Sequence, residues 1–187
     1  MPRLFTGMEL PPDISRQIAS LGGGLPGARW LDPDDLHLTL SFMGDIDGAL
    51  SDAVIEELAN VQSDPFEIVL DGLGAFGGDR PRTLIFKVNA DARLINVHKQ
   101  QERALRRAGI ALEKRKFTPH VTLARLRDVS PQALAHYIAM NLPPVIRFRT
   151  ERLALFSGRP KVGGGPYVVE AAYPFVHDNY GSSTESQ

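Results

Sequence analysis

The segment Leu36–Phe42, LHLTLSF, decides most of what the sequence predicts about the fold. Apolar and polar residues alternate along it with a period of two, which is typical of a β-strand with one buried face. His37, Thr39 and Ser41 share one face of this strand. The leucines and Phe42 share the other face, so the alternation predicts that Phe42 lies in the core. The strand therefore presents an imidazole and a hydroxyl together on the face that the apolar core does not need.

The segment Phe117–Arg125, FTPHVTLAR, repeats this pattern later in the chain. Thr118, His120 and Thr122 share a face opposite the apolar residues, so this strand also carries an imidazole beside a hydroxyl. Arg125 lies five residues after His120 and has the opposite parity, so it reaches the histidine face only if the strand ends or twists there. If a pseudo-twofold axis relates two lobes that carry these strands, the two His-Thr faces converge on one cleft.

The predicted elements around the two segments follow the same order: strand, helix, strand, helix, strand. Phe5 precedes His37 by 32 residues, and Phe86 precedes His120 by 34 residues. A repeat of roughly 80 residues indicates duplicated lobes rather than a solenoid, whose units are shorter. The predicted fold class is α+β, with two pseudo-symmetric lobes that arise from an internal duplication.

The two repeats cover about residues 3–77 and 83–157 and are predicted to form a single bilobal domain over 1–177. The polar segment 178–187 is predicted to be a disordered tail. The predicted helices are a stretch from Pro12 to about Leu21, Ala49–Val61, Ala92–Ala108 and Pro131–Met140. The predicted strands are Arg3–Glu9, Leu36–Phe42, Phe66–Phe76, Thr83–Val88, Phe117–Arg125, Ile146–Phe156 and a last strand within 167–175.

Composition narrows the class of protein. The chain has 187 residues and no cysteine, which excludes disulfides, thiolate metal sites and thiol nucleophiles. It contains no apolar run long enough to span a membrane, and its first residues lack the pattern of a signal peptide, so a cytoplasmic protein without a membrane partner is expected.

The charged residues are distributed unevenly. Residues 31–79 contain twelve acidic residues and no lysine or arginine, whereas residues 80–161 contain eighteen basic and five acidic residues. This asymmetry predicts an anionic ligand that is met mainly by the second half. Solvated helix faces and charge complementarity between the lobes are the alternative interpretation.

Paired histidines suit the cleavage of a phosphodiester by general acid–base catalysis. One neutral imidazole accepts a proton from the attacking water or hydroxyl, and the other, protonated, donates to the leaving oxygen. The hydroxyls of Thr39 and Thr122 can donate hydrogen bonds to phosphate oxygens. This chemistry needs no metal and no cofactor, and none is predicted. The three other histidines are interpreted as structural or surface residues: His98, His136 and His177.

The two motifs, with the flanking RLFTGMELP, FTPHVTLAR and PYVVEAAYPF, resemble the 2H phosphoesterases, in particular the bacterial and archaeal RNA 2′,3′-cyclic phosphodiesterases, also called 2′-5′ RNA ligase-like proteins. This resemblance implies a LigT-like fold with antiparallel sheets flanked by helices. It implies hydrolysis of a 2′,3′-cyclic phosphate to a 2′-phosphomonoester, with reverse 2′-5′ ligation. In the hydrolysis, the resemblance implies that His37 is the acid and His120 the base. It also implies that Arg125 contacts the substrate and that Phe42 matches an aromatic position that stacks on a base.

The expected partners are RNA or oligonucleotides with a 2′,3′-cyclic phosphate end and nucleotides, bound by a monomer. Two alternatives stay open on the sequence. One is a non-catalytic RNA-binding module of the same fold. The other is a phosphodiesterase for small cyclic nucleotides or ADP-ribose-type cyclic phosphates.

Overall fold

The computed structural model describes residues 3–158 and 167–176, so the predicted tail 178–187 lies outside the described residues. The described residues form four α-helices and nine strands. The helices are α1 (Pro12–Ala19), α2 (Gly48–Leu58), α3 (Ala92–Arg107) and α4 (Pro131–Met140). The strands are β1 (Arg3–Glu9), β2 (Ala28–Trp30), β3 (His37–Asp45), β4 (Phe66–Phe76), β5 (Thr83–Val88), β6 (His120–Leu126), β7 (Ile146–Thr150), β8 (Arg152–Gly158) and β9 (Val168–Pro174).

All the strand pairings are antiparallel, and the strands form one sheet in the order β7-β4-β5-β6-β3-β1-β8-β9, with β2 added on β6. The α+β class and the antiparallel sheet are thereby confirmed. The two histidine-bearing strands, β3 and β6, are neighbours at the middle of the sheet. They pair only at Leu38 and Val121, so the sheet consists of two halves that meet at this point: β7-β4-β5-β6 with β2 beside β6, and β3-β1-β8-β9.

The two halves of the sheet exchange strands between the sequence repeats. The third strand of the first repeat, β4, pairs with β5 of the second repeat. The third strand of the second repeat, β8, pairs with β1 of the first. Each half therefore needs residues from both halves of the chain to complete its hydrogen bonding.

The prediction of one strand over Ile146–Phe156 is wrong, because Glu151 divides it into β7 and β8. The strand β7 alternates buried and exposed residues and pairs with β4, whereas β8 is buried on both faces and pairs with β1 and β9. Since a single residue separates two strands that lie far apart in the sheet order, the sheet must curve strongly. Alternation alone does not reveal the break, because both segments are apolar and strand-forming.

The helices pack their apolar residues onto the sheet and so build the main core. Three of them begin at a side chain that accepts a hydrogen bond from the first turn: Asp47 for α2, Asp91 for α3 and Ser130 for α4. The buried face of α3 consists of Leu94, Val97, His98, Gln101, Ala104 and Leu105. A separate small cluster, Phe5, Ala154 and Phe156, lies outside this core. Within the described residues, no helix has the length and apolar character needed to span a membrane.

Candidate active site

The two motif histidines have the same local geometry. The Nδ1 atom of His37 lies 2.8 Å from the carbonyl oxygen of Asp35, and that of His120 lies 2.7 Å from the carbonyl oxygen of Thr118. A carbonyl oxygen can only accept, so each Nδ1 carries a proton and donates it. The neutral imidazole then leaves its Nε2 unprotonated and available for chemistry.

The single pairing between β3 and β6 brings the two motifs together. Leu38 lies opposite Val121, and the strands are antiparallel. The antiparallel direction therefore places His37 near Thr122 and Thr39 near His120, so the two histidines lie on a diagonal with a threonine beside each. The threonine side chains are half-buried. The structure thus brings together the four residues that the sequence singled out.

An extra residue interrupts the alternation of β3 directly after the His-Leu-Thr sequence. Thr39 pairs with Gly7 and Ser41 pairs with Thr6, so Leu40 has no partner of its own on β1. Such a β-bulge reverses the parity of the residues that follow it.

The same interruption occurs at the equivalent place in β6. Thr122 pairs with Ile85 and Ala124 pairs with Leu84, so Leu123 is the extra residue. Each motif therefore contains a bulge three residues after its histidine.

The bulges correct two predictions from simple alternation. Phe42 was expected in the core, but its side chain is 54% exposed and its ring lies 5.2 Å from that of Phe5, on the face of His37. Ser41 was expected beside His37, but its hydroxyl accepts a hydrogen bond from the Gln101 amide of α3 at 2.7 Å, on the helix side of the sheet. Alternation fails here because it assumes an uninterrupted strand.

Arg125 is turned to the histidine face by the second bulge. Arg125 is exposed, and its positive charge adds to the larger effect of burial in lowering the pKa of both His37 and His120. Arg125 and Phe42 occupy equivalent places, five residues after their histidines. One half of the site thus has a cation where the other has an aromatic ring.

His37 is enclosed by aromatic rings. The centroid of its ring lies 4.8 Å from that of Phe5, 5.7 Å from that of Phe156 and 4.9 Å from that of Tyr167. Burial in this apolar setting disfavours the charged imidazolium and lowers the pKa of His37 from its usual 6.5 to about 4. The Asp35 carbonyl opposes this shift, while the charges of His120 and Arg125 add to it.

His120 is less enclosed. The ring of Phe76 meets it edge-on, with centroids 4.7 Å apart. Burial lowers the pKa of His120 as well, and the positive charges of Arg115 and Arg125 lower it further.

The aromatic residues around the histidines are the part of the site that motif reasoning missed. Phe76 ends the segment GLGAF and Phe156 lies in the corresponding segment RLALF, so their equivalence in the repeat was the available signal. Because β4 and β8 are exchanged between the halves, each phenylalanine lies beside the histidine of the other repeat. No cluster of three or more histidine, aspartate or glutamate residues that could hold a metal ion occurs within 3–158 and 167–176.

Comparison with known proteins identifies relatives of this chain. Residues 10–160 match the family model of the 2′-5′ RNA ligase superfamily. The chain is 32% identical over 179 residues to the RNA 2′,3′-cyclic phosphodiesterase of Geobacillus stearothermophilus. The matched segment covers 90% of this chain and 54% of that protein. The chain is 34% identical over 130 residues to the RNA 2′,3′-cyclic phosphodiesterase of Aeropyrum pernix, which covers 68% of each chain.

Among solved structures, Escherichia coli LigT complexed with 3′-AMP superimposes with a TM-score of 0.76 at 24% identity, covering 94% of this chain and 99% of that chain. This similarity shows the shared fold and confirms the LigT-like architecture that the sequence resemblance implies. Together with the matched family model and the Aeropyrum relative, it leads to one conclusion: the chain belongs to the 2′-5′ RNA ligase superfamily.

Proposed function

We propose that this protein hydrolyses the 2′,3′-cyclic phosphate ends of RNA to 2′-phosphomonoesters with its two motif histidines. The observation that carries the proposal is the matched pair of imidazoles, each held through Nδ1 by the carbonyl two residues earlier and each followed by a threonine on the same face. The relatives named RNA 2′,3′-cyclic phosphodiesterase support the choice of substrate.

In the proposed reaction His120 takes a proton from water, the water oxygen attacks phosphorus, and the bond from phosphorus to O3′ breaks. His37 donates its proton to the departing O3′, so one proton enters the pair and one leaves. Thr39 and Thr122 donate hydrogen bonds to the non-bridging oxygens, and Arg125 balances the negative charge on the phosphoryl group.

The acid role of His37 depends on the bound phosphate. With a pKa of about 4 in the free protein, His37 is neutral at pH 7. A phosphate anion between the two imidazoles favours the protonated form and raises this pKa. The negative charge of the substrate thus makes His37 an acid. In the free protein the imidazole of His37 is neutral.

The same displacement with the 5′-hydroxyl of a second RNA in place of water forms a bond from that oxygen to phosphorus, breaks the bond from phosphorus to O3′ and gives 2′-5′ ligation. A phosphodiesterase for small cyclic nucleotides would use the same groups, and a non-catalytic RNA-binding module would need neither free Nε2. The monomeric state and the cytoplasmic location stay predictions from the sequence.

Phosphorus NMR of a 2′,3′-cyclic nucleotide incubated with the protein in excess EDTA tests the proposal. We expect a 2′-phosphomonoester as the product. A 3′-phosphomonoester would show that the bond from phosphorus to O2′ breaks instead of the bond to O3′. Loss of activity in EDTA with recovery on addition of a divalent cation would contradict the metal-independent mechanism.

The same measurement on an RNA oligonucleotide that ends in the cyclic phosphate separates the alternatives. Turnover of the mononucleotide but not of the oligonucleotide would favour the small-molecule phosphodiesterase. Tight, salt-dependent binding of the oligonucleotide without turnover of either substrate would favour the binding module.

A further inference from the structure

We infer that a second nucleotide-binding subsite lies on the far side of His120 from His37, formed by Lys87 and Phe76 over a glycine floor on β4. The subsite extends the proposed function, on which it rests, because it makes an oligonucleotide a better substrate than a mononucleotide. We name it the β4 subsite and define it by Lys87, Phe76, Gly72 and Gly74.

The position of Lys87 follows from the strand pairing. Lys87 lies opposite His120 in the register of β5 and β6, and directly opposite residues of an antiparallel pair share a face. Its side chain therefore starts on the same face as the His120 imidazole. Lys87 is exposed, and among residues 3–158 and 167–176 its ammonium forms no ion pair.

Two glycines make room for this side chain on the neighbouring strand β4. A Cβ atom on Gly74 would lie 3.3 Å from the Cγ of Lys87, and one on Gly72 would lie 3.2 Å from its Cε and 3.4 Å from its Nζ. The lysine thus extends across β4 away from His120. Gly72 also has a φ of +80°, which residues with a side chain rarely adopt. Both its backbone conformation and its contact with Lys87 therefore disfavour a side chain at this position.

In the structure the ammonium lies over β4 and points away from the phosphate that reacts. The order of the strands is β4-β5-β6-β3, and the reacting phosphate lies between His120 of β6 and His37 of β3. Neighbouring strands are about 4.8 Å apart, so an ammonium above β4 lies about 10 Å from the line of β6, on the other side from His37. The phosphate within its reach belongs to the next nucleotide along the chain.

Phe76 lies at the other end of the glycine floor on the same face of β4. Its side chain is 38% exposed and its ring is steeply inclined to that of His120, so part of the ring is open to solvent and available to a base. An exposed aromatic ring beside a cation that tracks the backbone is the usual composition of a site for single-stranded nucleic acid.

The other half of the pseudo-symmetric site lacks both features. The residue opposite His37 is Glu9, whose carboxylate pairs with Arg152 at 2.6 Å, and the counterpart of Phe76 is Phe156, which is only 4% exposed. The polyanionic chain is therefore favoured on the His120 side only. This difference sets the direction in which the RNA leaves the cleft.

The test compares Lys87→Gln with Lys99→Gln, which removes the same charge from the exposed face of α3. We measure kcat/KM on a 2′,3′-cyclic mononucleotide and on a short RNA with the same 3′-terminal cyclic nucleotide, at several salt concentrations. For Lys87→Gln we expect kcat/KM on the RNA to fall about tenfold and on the mononucleotide to fall far less. The salt slope on the RNA should shrink by about 0.7, the value for one contact to a single strand. Lys99→Gln should match the wild type on both substrates.

An equal loss on both substrates, or no loss on either, would overturn the β4 subsite. Binding of an RNA that ends in a 2′-phosphate, followed by fluorescence anisotropy, keeps this test apart from that of the proposed function. If the wild type hydrolysed neither substrate, the proposed function would fail. The weaker RNA binding of Lys87→Gln relative to Lys99→Gln would still decide the subsite.

Discussion

A single hydrogen bond at each histidine decides which nitrogen can react. Because the carbonyls of Asp35 and Thr118 hold the two Nδ1 protons, both Nε2 atoms are free, and the two residues are chemically alike in isolation. Their surroundings distinguish them. Three aromatic rings enclose His37. His120 instead makes one T-shaped contact with Phe76, and the charges of Arg115 and Arg125 act on its pKa.

Both His37→Ala and His120→Ala should lower kcat by at least about 10²-fold, the usual contribution of a general acid or base. Their roles separate on a substrate in which sulfur replaces the bridging O3′, since a thiolate leaves without a proton. We expect His37→Ala to regain most of its activity on this substrate and His120→Ala to stay impaired. Rescue of His120→Ala instead would exchange the two roles, and full activity of either variant on the oxygen substrate would refute the paired-histidine mechanism.

The pKa of His37 should respond to phosphate. In the free protein His37 should titrate near pH 4, and inorganic phosphate or a nucleotide 2′-phosphate should raise that value. Two-dimensional NMR of the imidazole resonances measures both. Arg125→Gln should also raise the pKa of both histidines, since its charge lowers them. A phosphate-independent titration near 6.5 would contradict the enclosure of His37.

The same shift has a consequence for stability. The unfolded chain protonates His37 near pH 6.5 and the folded chain only near pH 4, so the unfolded state binds more protons within this window. His37 should therefore make the protein less stable as the pH falls from 6.5 to 4. The variant His37→Gln should show a smaller loss in the free energy of unfolding over this range.

At the scale of the element, the bulges at Leu40 and Leu123 change which side chains of β3 and β6 face the cleft. They direct Phe42 and Arg125 to the cleft, although a regular strand would bury both. The fully buried Gln101 supports the first bulge from α3. Its amide donates to the hydroxyl of Ser41 at 2.7 Å and its carbonyl accepts from that of Thr6 at 2.8 Å.

We expect Gln101→Met, which keeps the length of the side chain, to destabilise the protein by about 1–3 kcal/mol, because the buried hydroxyl of Thr6 and the half-buried hydroxyl of Ser41 lose their partner. It should also lower kcat/KM as Thr39 and Phe42 lose their placement. Denaturant unfolding and kinetics measure the two effects. The control is Gln100→Met on the same helix, whose exposed amide only bridges the backbone of Gln62 and whose loss should leave kinetics unchanged. Unaltered kinetics in Gln101→Met would remove Gln101 as a positioning residue.

At the scale of the whole molecule, the exchange of third strands makes the two halves of the sheet depend on each other. The strand β4 completes the half that contains His120, and β8 completes the half that contains His37. Neither sequence repeat holds all the strands of one half, so the domain should unfold as a unit.

Leu70→Ala in β4 and Leu153→Ala in β8 test this dependence, since both leucines are fully buried. Each should lower stability by about 2–5 kcal/mol, and each should shift one and the same transition. Far-UV circular dichroism and the fluorescence of the single tryptophan, Trp30, should give coincident unfolding curves. Two separate transitions, with each variant moving only one, would show that the halves fold independently.

Much of this protein can be predicted from its sequence. The alternation in LHLTLSF and HVTLAR, the helical segments and the spacing of the repeat led to the α+β class, most element bounds and the two histidines with their threonines. These features depend on short-range periodicity, which the chain carries within itself.

Other features were decided only by the tertiary structure. A bulge is a property of two paired strands, so the direction of Phe42 and Arg125 could not be read from one strand alone. The exchange of β4 and β8, which puts Phe76 beside His120 and Phe156 beside His37, depends on which distant strands pair. The strong depression of the pKa of His37 depends in turn on the rings that this pairing assembles. The sequence by itself thus determined which groups are the candidates for the chemistry, and long-range pairing decided what surrounds each of them.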